Sequence, residues 1–109
     1  MTMTACSRQA PPSAPGAVER ETKRMQPIVD RYKAQSVMGF DLKGTTLLLS
    51  VDAEGWSQLD ESSEISLKNA VLDAWARTWK LEHPRQHAIV HLRVQNYYGQ
   101  EINSQQRSV

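Results

Sequence analysis

The spacing of apolar positions changes period along this chain, and each change marks an element. Met25, Ile28, Val29 and Tyr32 recur at three- and four-residue intervals, the stripe of one helical face. Pro27 lacks the N–H that a helix interior requires. The pattern therefore predicts a helix over about 27–35 with Pro27 in its first turn, and leaves the charged segment 18–26 as a frayed or separate helix. From Ser36 the period drops to two. In "SVMGFDLKGTTLLLSVD" the pair Lys43-Gly44 predicts a two-residue loop between strands at about 37–42 and 45–52. That loop opposes Leu42 to Thr45, Phe40 to Leu47 and Met38 to Leu49. Opposed residues share a face, so Met38, Phe40, Leu42, Leu47, Leu49 and Val51 fall together.

A helical period returns after a short turn near 57–60. Leu67, Val71, Ala74 and Trp75 line one stripe, widened by Leu72 and Trp79. Asp60, Glu61 and Glu64 stand at its start and Arg77 and Lys80 near its end, as the helix dipole favours. Pro84 stops it, giving a main helix at about 62–82. Alternation then resumes at about 88–95. Ala88, Val90, Leu92 and Val94 point one way, and His87, Ile89, His91 and Arg93 the other. "NYYGQ" has the residues of a type I turn closed by a left-handed Gly99. Its three-residue loop opposes Val94 to Ile102 and predicts a short edge strand at about 100–104, followed by a frayed tail at 105–109.

The order α-β-β-α-β-β predicts a two-layer α+β sandwich: a small, mostly antiparallel four-stranded sheet packed on one main helix. Placing the third strand beside the first would make the sheet wholly antiparallel, and this is the expected arrangement. Residues 18–104 form the single domain. Residues 1–17, with three Pro and no aromatic residue, form a Pro-rich leader.

Composition narrows the chemistry. Three Trp in a chain that is 39% hydrophobic suffice for one core, and a net charge of +1 gives no broad basic face for nucleic acid. One cysteine excludes an internal disulfide and a multi-thiolate metal site. His83, His87 and His91 are spaced by four, which on a helix would let them share an ion. Here Pro84 interrupts them, and on a strand His87 and His91 stand roughly 13 Å apart. The expectation is solvated imidazoles, with no metal and no cofactor. Asp41, Asp52 and Glu54 gather near the hairpin as strand-end carboxylates. The sequence has no phosphate-cradling Gly-rich loop and no nucleophile elbow. Cys6 lies in the leader with nothing to hold it against a base. No enzyme is expected.

The second sheet face is the candidate interaction surface. It gathers Val37, Leu48, Ile89, His91 and Arg93, with Thr46 and Ser50 between them. Ordinary scatter, or cover by the N-terminal helix, is the plain reading of such a face; a homodimer or protein partner is the functional one. RNA binding on a sheet uses exposed aromatic residues, and the predicted register turns Phe40 inward. The segment "TACSRQAPPSAP" resembles the lipidation and cleavage site of bacterial lipoproteins: a small residue before Cys6, Ser7 after it, then a Pro-rich polar tether. The resemblance covers a dozen residues and departs from the pattern in lacking a hydrophobic stretch before Cys6. It implies a lipid on Cys6, a place in the cell envelope, and membrane contact only through that anchor. The expectation is thus a small non-enzymatic bacterial interaction domain. Its alternative is a cytoplasmic adaptor, weakly associated with nucleic acid through the leader.

Overall fold

The structure is a computed structural model, and it describes residues 15–109. The first helix, α1, spans Ala17–Asp30, ten residues earlier than the apolar stripe predicts. Its inward positions are Ala17, Glu21, Met25 and Val29, each four from the next. The stripe does extend back from Met25, but a carboxylate occupies one of its positions and hides the period. Pro27 lies in the last turn rather than the first. The carbonyl it leaves without a helical partner is that of Lys23, on the exposed side. A 3-10 turn at Lys33–Gln35 ends on Ser36, whose φ of 74° is left-handed.

Strands β1 (Val37–Lys43) and β2 (Thr46–Val51) pair antiparallel with Phe40 opposite Leu49 and Leu42 opposite Leu47. The loop is Gly44-Thr45, with Gly44 at φ 60°, so the register differs by two residues from the predicted one. A shift of two preserves parity. Leu47, Leu49 and Val51 are therefore still buried, with Phe40 and Leu42 packed at their margin. Parity fails only at the start of β1. The register slips between Val37 and Gly39, so Met38 is the extra residue of a β-bulge. Val37 turns into the core at 3% exposure, and Met38 turns out at 51%.

A short helix α2 (Ala53–Ser57) follows, capped by Asp52, and delivers Trp56 to the core. Gly55 sits against Ser36, and a Cβ at this glycine would overlap the serine side chain. The main helix α3 spans Glu61–Glu82, close to the predicted range. Asp60 caps it, accepting from the backbone N–H of Ser63 at 3.1 Å and its hydroxyl at 2.6 Å.

Strand β3 (Ile89–Gln95) lies beside β2 and runs parallel to it, in the order β1-β2-β3-β4. The sheet is mixed, not wholly antiparallel, and the third strand does not adjoin the first. The reason is length. α3 has 22 residues, about 33 Å at 1.5 Å per residue. That carries the chain back along the sheet to the end where β2 began, so the next strand runs the same way as β2. The β1 side is flanked by α1, which packs on both β1 and α3.

The turn after β3 is as predicted: Asn96 donates to the Gln100 carbonyl at 3.0 Å, and Gly99 has φ 82°. β4, however, spans Glu101–Ser108, and Ala88 and Val109 exchange backbone hydrogen bonds beyond it. The predicted short strand and frayed tail are one continuous strand. A second bulge at Ile102 sets Val94 against Asn103 rather than Ile102. Polar residues occupy the inward positions of β4, so no apolar alternation announces it. Asn103 accepts from Lys68 Nζ at 3.2 Å, and Arg107 pairs with Asp73.

Both long helices cover one face of the sheet. Between the layers lie Met25, Val29, Leu47, Leu49, Val51, Leu67, Val71, Trp75, Trp79, Val90, Leu92 and Val94. The Trp75 indole N–H donates to the Thr45 carbonyl at 2.9 Å, tying α3 to the hairpin loop.

Candidate functional site

Because α1 lies beside α3 on the inner face, no helix among the described residues covers the other face of the sheet. That face is assembled by register. Asp41, Leu48, Arg93 and Ser104 form one row across the four strands, and Thr46, His91 and Gln106 form the row beside it. Thr46, Leu48, His91, Arg93 and Ser104 of these rows, together with Lys43, Leu92, Gln95, Gly99 and Glu101, line a shallow, solvent-open depression of about 700 Å³.

Of the five sequence-predicted residues, Leu48, His91 and Arg93 line this depression, and Ile89 lies on the same side of β3 beyond His91. Val37 does not join them, because the bulge at Met38 turns it into the core. Sequence reasoning missed three exposed neighbours. Ile102, at the β4 bulge, is 40% exposed, comparable to Ile89 at 45%. Tyr97 and Tyr98 stand 75% and 84% exposed on the β3–β4 loop, in edge contact with ring centroids 5.5 Å apart. Their position in a tight turn, where a side chain has no core to enter, was the available signal.

Arg93 anchors this end of the face. Its Nη2 donates to the Gly99 carbonyl at 2.9 Å, and its Nε lies 3.8 Å from Glu101 Oε1. Gln95 donates to the Ser50 hydroxyl at 3.4 Å. The side chains present are a guanidinium, an imidazole, amides and hydroxyls around small aliphatic islands. Such a set can hydrogen-bond and bury modest apolar area against another surface.

The three histidines occupy three different settings. His91 is on the open face, and His87 Nδ1 is 3.3 Å from the Val109 carbonyl. His83 is buried, contrary to its predicted solvation. It stacks on Trp79 with centroids 4.1 Å apart and planes at 12°, and its Nδ1 lies 2.9 Å from the Trp79 carbonyl. It closes α3, where the chain tucks beneath α1 instead of leaving for solvent. Among the described residues, no three metal-ligating side chains gather in one place.

His83 belongs to a polar cluster between α1 and α3. Glu21 Oε2 lies 4.0 Å from His83 Nδ1, and both side chains are buried. Burial raises the Glu21 carboxyl above its ordinary range, and the nearby imidazole opposes that rise. At the rim Glu82 accepts from Arg20 through both its oxygens and from Arg24 at 2.9 Å. These charge-assisted bonds hold Glu82 down to about 2. The cluster is enclosed by two helices and fastens one to the other.

Cys6 and the rest of the leader through residue 14 lie outside the described residues. Among the described residues no helix is long and apolar enough to cross a membrane. No family model, curated protein or solved structure matches this chain.

Proposed function

We propose that this chain is a small non-enzymatic interaction domain of a bacterial cell envelope, held by a lipid on Cys6 and presenting its open sheet face to a protein partner. The observation that carries the reading is the one-sided helix layer. Both long helices pack on the same face, which leaves exposed Ile89 and half-buried Leu48 on the open face with half-buried His91 and Arg93. A sheet face left open to solvent is ordinarily polar. Aliphatic residues set among hydrogen-bonding groups resemble the mixed surface of a non-obligate interface. The non-enzymatic part rests on the placement of the buried acid–histidine cluster, which is enclosed between α1 and α3 and occupied with helix-to-helix contacts. The anchor rests on the resemblance around Cys6 and on the short Pro-rich stretch between it and the domain.

The test is made on the full chain expressed from its native chromosomal locus. A photo-crosslinking residue at position 89 should yield a discrete protein adduct, and one at exposed position 77 on the helix layer should not. Equal labelling at both, or none at 89, would remove the open face as the contact surface. Incorporation of labelled fatty acid should disappear in Cys6→Ser. An unlabelled wild-type chain would remove the anchor and leave the cytoplasmic adaptor reading.

A further inference from the structure

The two outer strands of the sheet are defended differently. β1 carries a bulge at Met38, charged Asp41 and Lys43, and α1 packed along it. Its outward backbone is also partly satisfied within the strand: the Leu42 N–H donates to Asp41 Oδ1 at 2.9 Å. Bulges, charges and cover are the usual protections of an exposed edge. β4 has a bulge only at its beginning, Ile102. Beyond it, residues 103–109 run without irregularity, Lys or Pro.

The hydrogen bonds fix which backbone groups β4 presents. In a strand the N–H and C=O of one residue point the same way, and the direction alternates along the chain. His91 donates to Thr45, toward β2, whereas Ala88 and Val109 bond each other, toward β4. Residues 103, 105, 107 and 109 therefore face β3. Ser104, Gln106 and Ser108 face outward, and among the described residues nothing caps their N–H groups. Their side chains are short or neutral and lie on the open-face side. Arg107, the one charge in this stretch, points to the inner face and is paired with Asp73.

We infer that the β4 edge pairs with the β4 edge of a second copy of this chain, antiparallel about a twofold axis through Gln106. Only pairings that set an outward residue against an outward residue can form bonds. The one centred on Gln106 uses the longest regular stretch. Gln106 meets its own copy, Ser104 meets the partner's Ser108, and Arg107 lies opposite the partner's Gln105. Each outward pair exchanges two backbone bonds, and no like charges are directly opposed. The β1 edge is blocked, so growth stops at an eight-stranded dimer rather than an open array. The two open faces then join into one continuous surface. This pairing uses an edge that the open-face reading does not, and it stands or falls separately.

The experiment is sedimentation velocity on the full chain from micromolar to millimolar concentration. Twice the 12.3 kDa chain mass is expected. Gln106→Lys places two ammonium groups on the axis, and Gln106→Pro removes the on-axis N–H while sparing the β3 ladder. Each should weaken the dimer at least tenfold with the melting transition kept. Ile89→Lys should leave the dimer intact. In a Cys6→Ser background, Gln106→Cys should oxidise to a covalent dimer. Ser104→Cys should not, because its copy lies about 13 Å along the strand. A monomer at every concentration, or a dimer indifferent to both Gln106 variants, would overturn the pairing. So would a dimer lost in Ile89→Lys alone, or one cross-linked through position 104 and not 106.

Discussion

The two faces of this sheet follow different rules although they share every strand. The inner face of β1 to β3 is apolar beneath the two long helices, with Leu47, Leu49, Val90, Leu92 and Val94 almost wholly enclosed. The outer face carries Thr46, Ser50, His91, Arg93 and Gln95, with Leu48 and Ile89 as isolated apolar positions. At β4 the contrast dissolves. Its inward residues Asn103 and Arg107 meet Lys68 and Asp73 of α3 through polar contacts. The face of a strand is thus apolar in proportion to the helix above it. At the margin, ion pairs and hydrogen bonds take over the seating of the strand.

The severest way to break the contrast is to hollow the inner face. Trp75→Ala removes a fully buried ring and its bond to Thr45, and should cost about 3–5 kcal/mol in urea unfolding. That is a large share of the stability of a domain this small. A variant that melts within a degree or two of wild type would mean that Trp75 does not hold the layers together.

Acid and base provide a finer test, because the two carboxylates at the α1–α3 junction act oppositely. Glu82 is about 2 in the folded chain and ordinarily 4.5. Between those values the unfolded chain binds more protons, so stability rises with pH and is lost as pH falls through that window. Glu21 is raised above 4.5 by burial. Above 4.5 the folded chain holds the extra proton, and stability declines as pH rises through the elevated value. Glu82 adds to the raising of Glu21, and His83, Arg20 and Arg24 oppose it. Unfolding midpoints against pH should therefore peak near the ordinary carboxylate range, and Glu21→Gln should flatten the descending limb. A descending limb unchanged by that substitution would dissociate Glu21 from it.

The smallest effect belongs to the outer face. Ile89→Lys should change unfolding free energy by no more than about 0.5 kcal/mol, as at ordinary surface positions. A loss of several kcal/mol would place Ile89 in the core's account and leave the open face without an apolar function.

What the sequence disclosed tracks the same division. β2 and β3 are legible because their inward positions are uniformly apolar and the period is unbroken, and α3 because its apolar stripe carries through the buried Lys68 and Thr78. Glu21 concealed the first half of α1, and Asn103, Gln105 and Arg107 concealed β4, since a buried or half-buried polar group interrupts the pattern without altering the backbone. One inserted residue, Met38, puts Val37 on the opposite face from the one that alternation predicts, and a bulge has no reliable local signature. The parallel neighbour of β2 was illegible for another reason: it depends on where a 22-residue helix delivers the chain. Of the candidate surface, Leu48, Ile89, His91 and Arg93 could be gathered from alternation alone. Ile102 could not, because the second bulge sets its direction.

The parallel seam between β2 and β3 also orders events in time. Within each hairpin, partners are near in sequence, but the seam joins Thr46 to His91 and Ser50 to Gln95. Hairpins close in roughly 1–10 μs, whereas contacts this remote wait on the closure of a long loop and slow the search for the native state. The seam should then be the rate-limiting closure, with α3 as its hinge. Leu47→Ala and Leu92→Ala, whose side chains meet across it, should chiefly slow folding. Val109→Ala, one residue past β4, should chiefly speed unfolding. Chevron measurements showing the reverse would mean that β3 and β4 dock before the centre of the sheet exists.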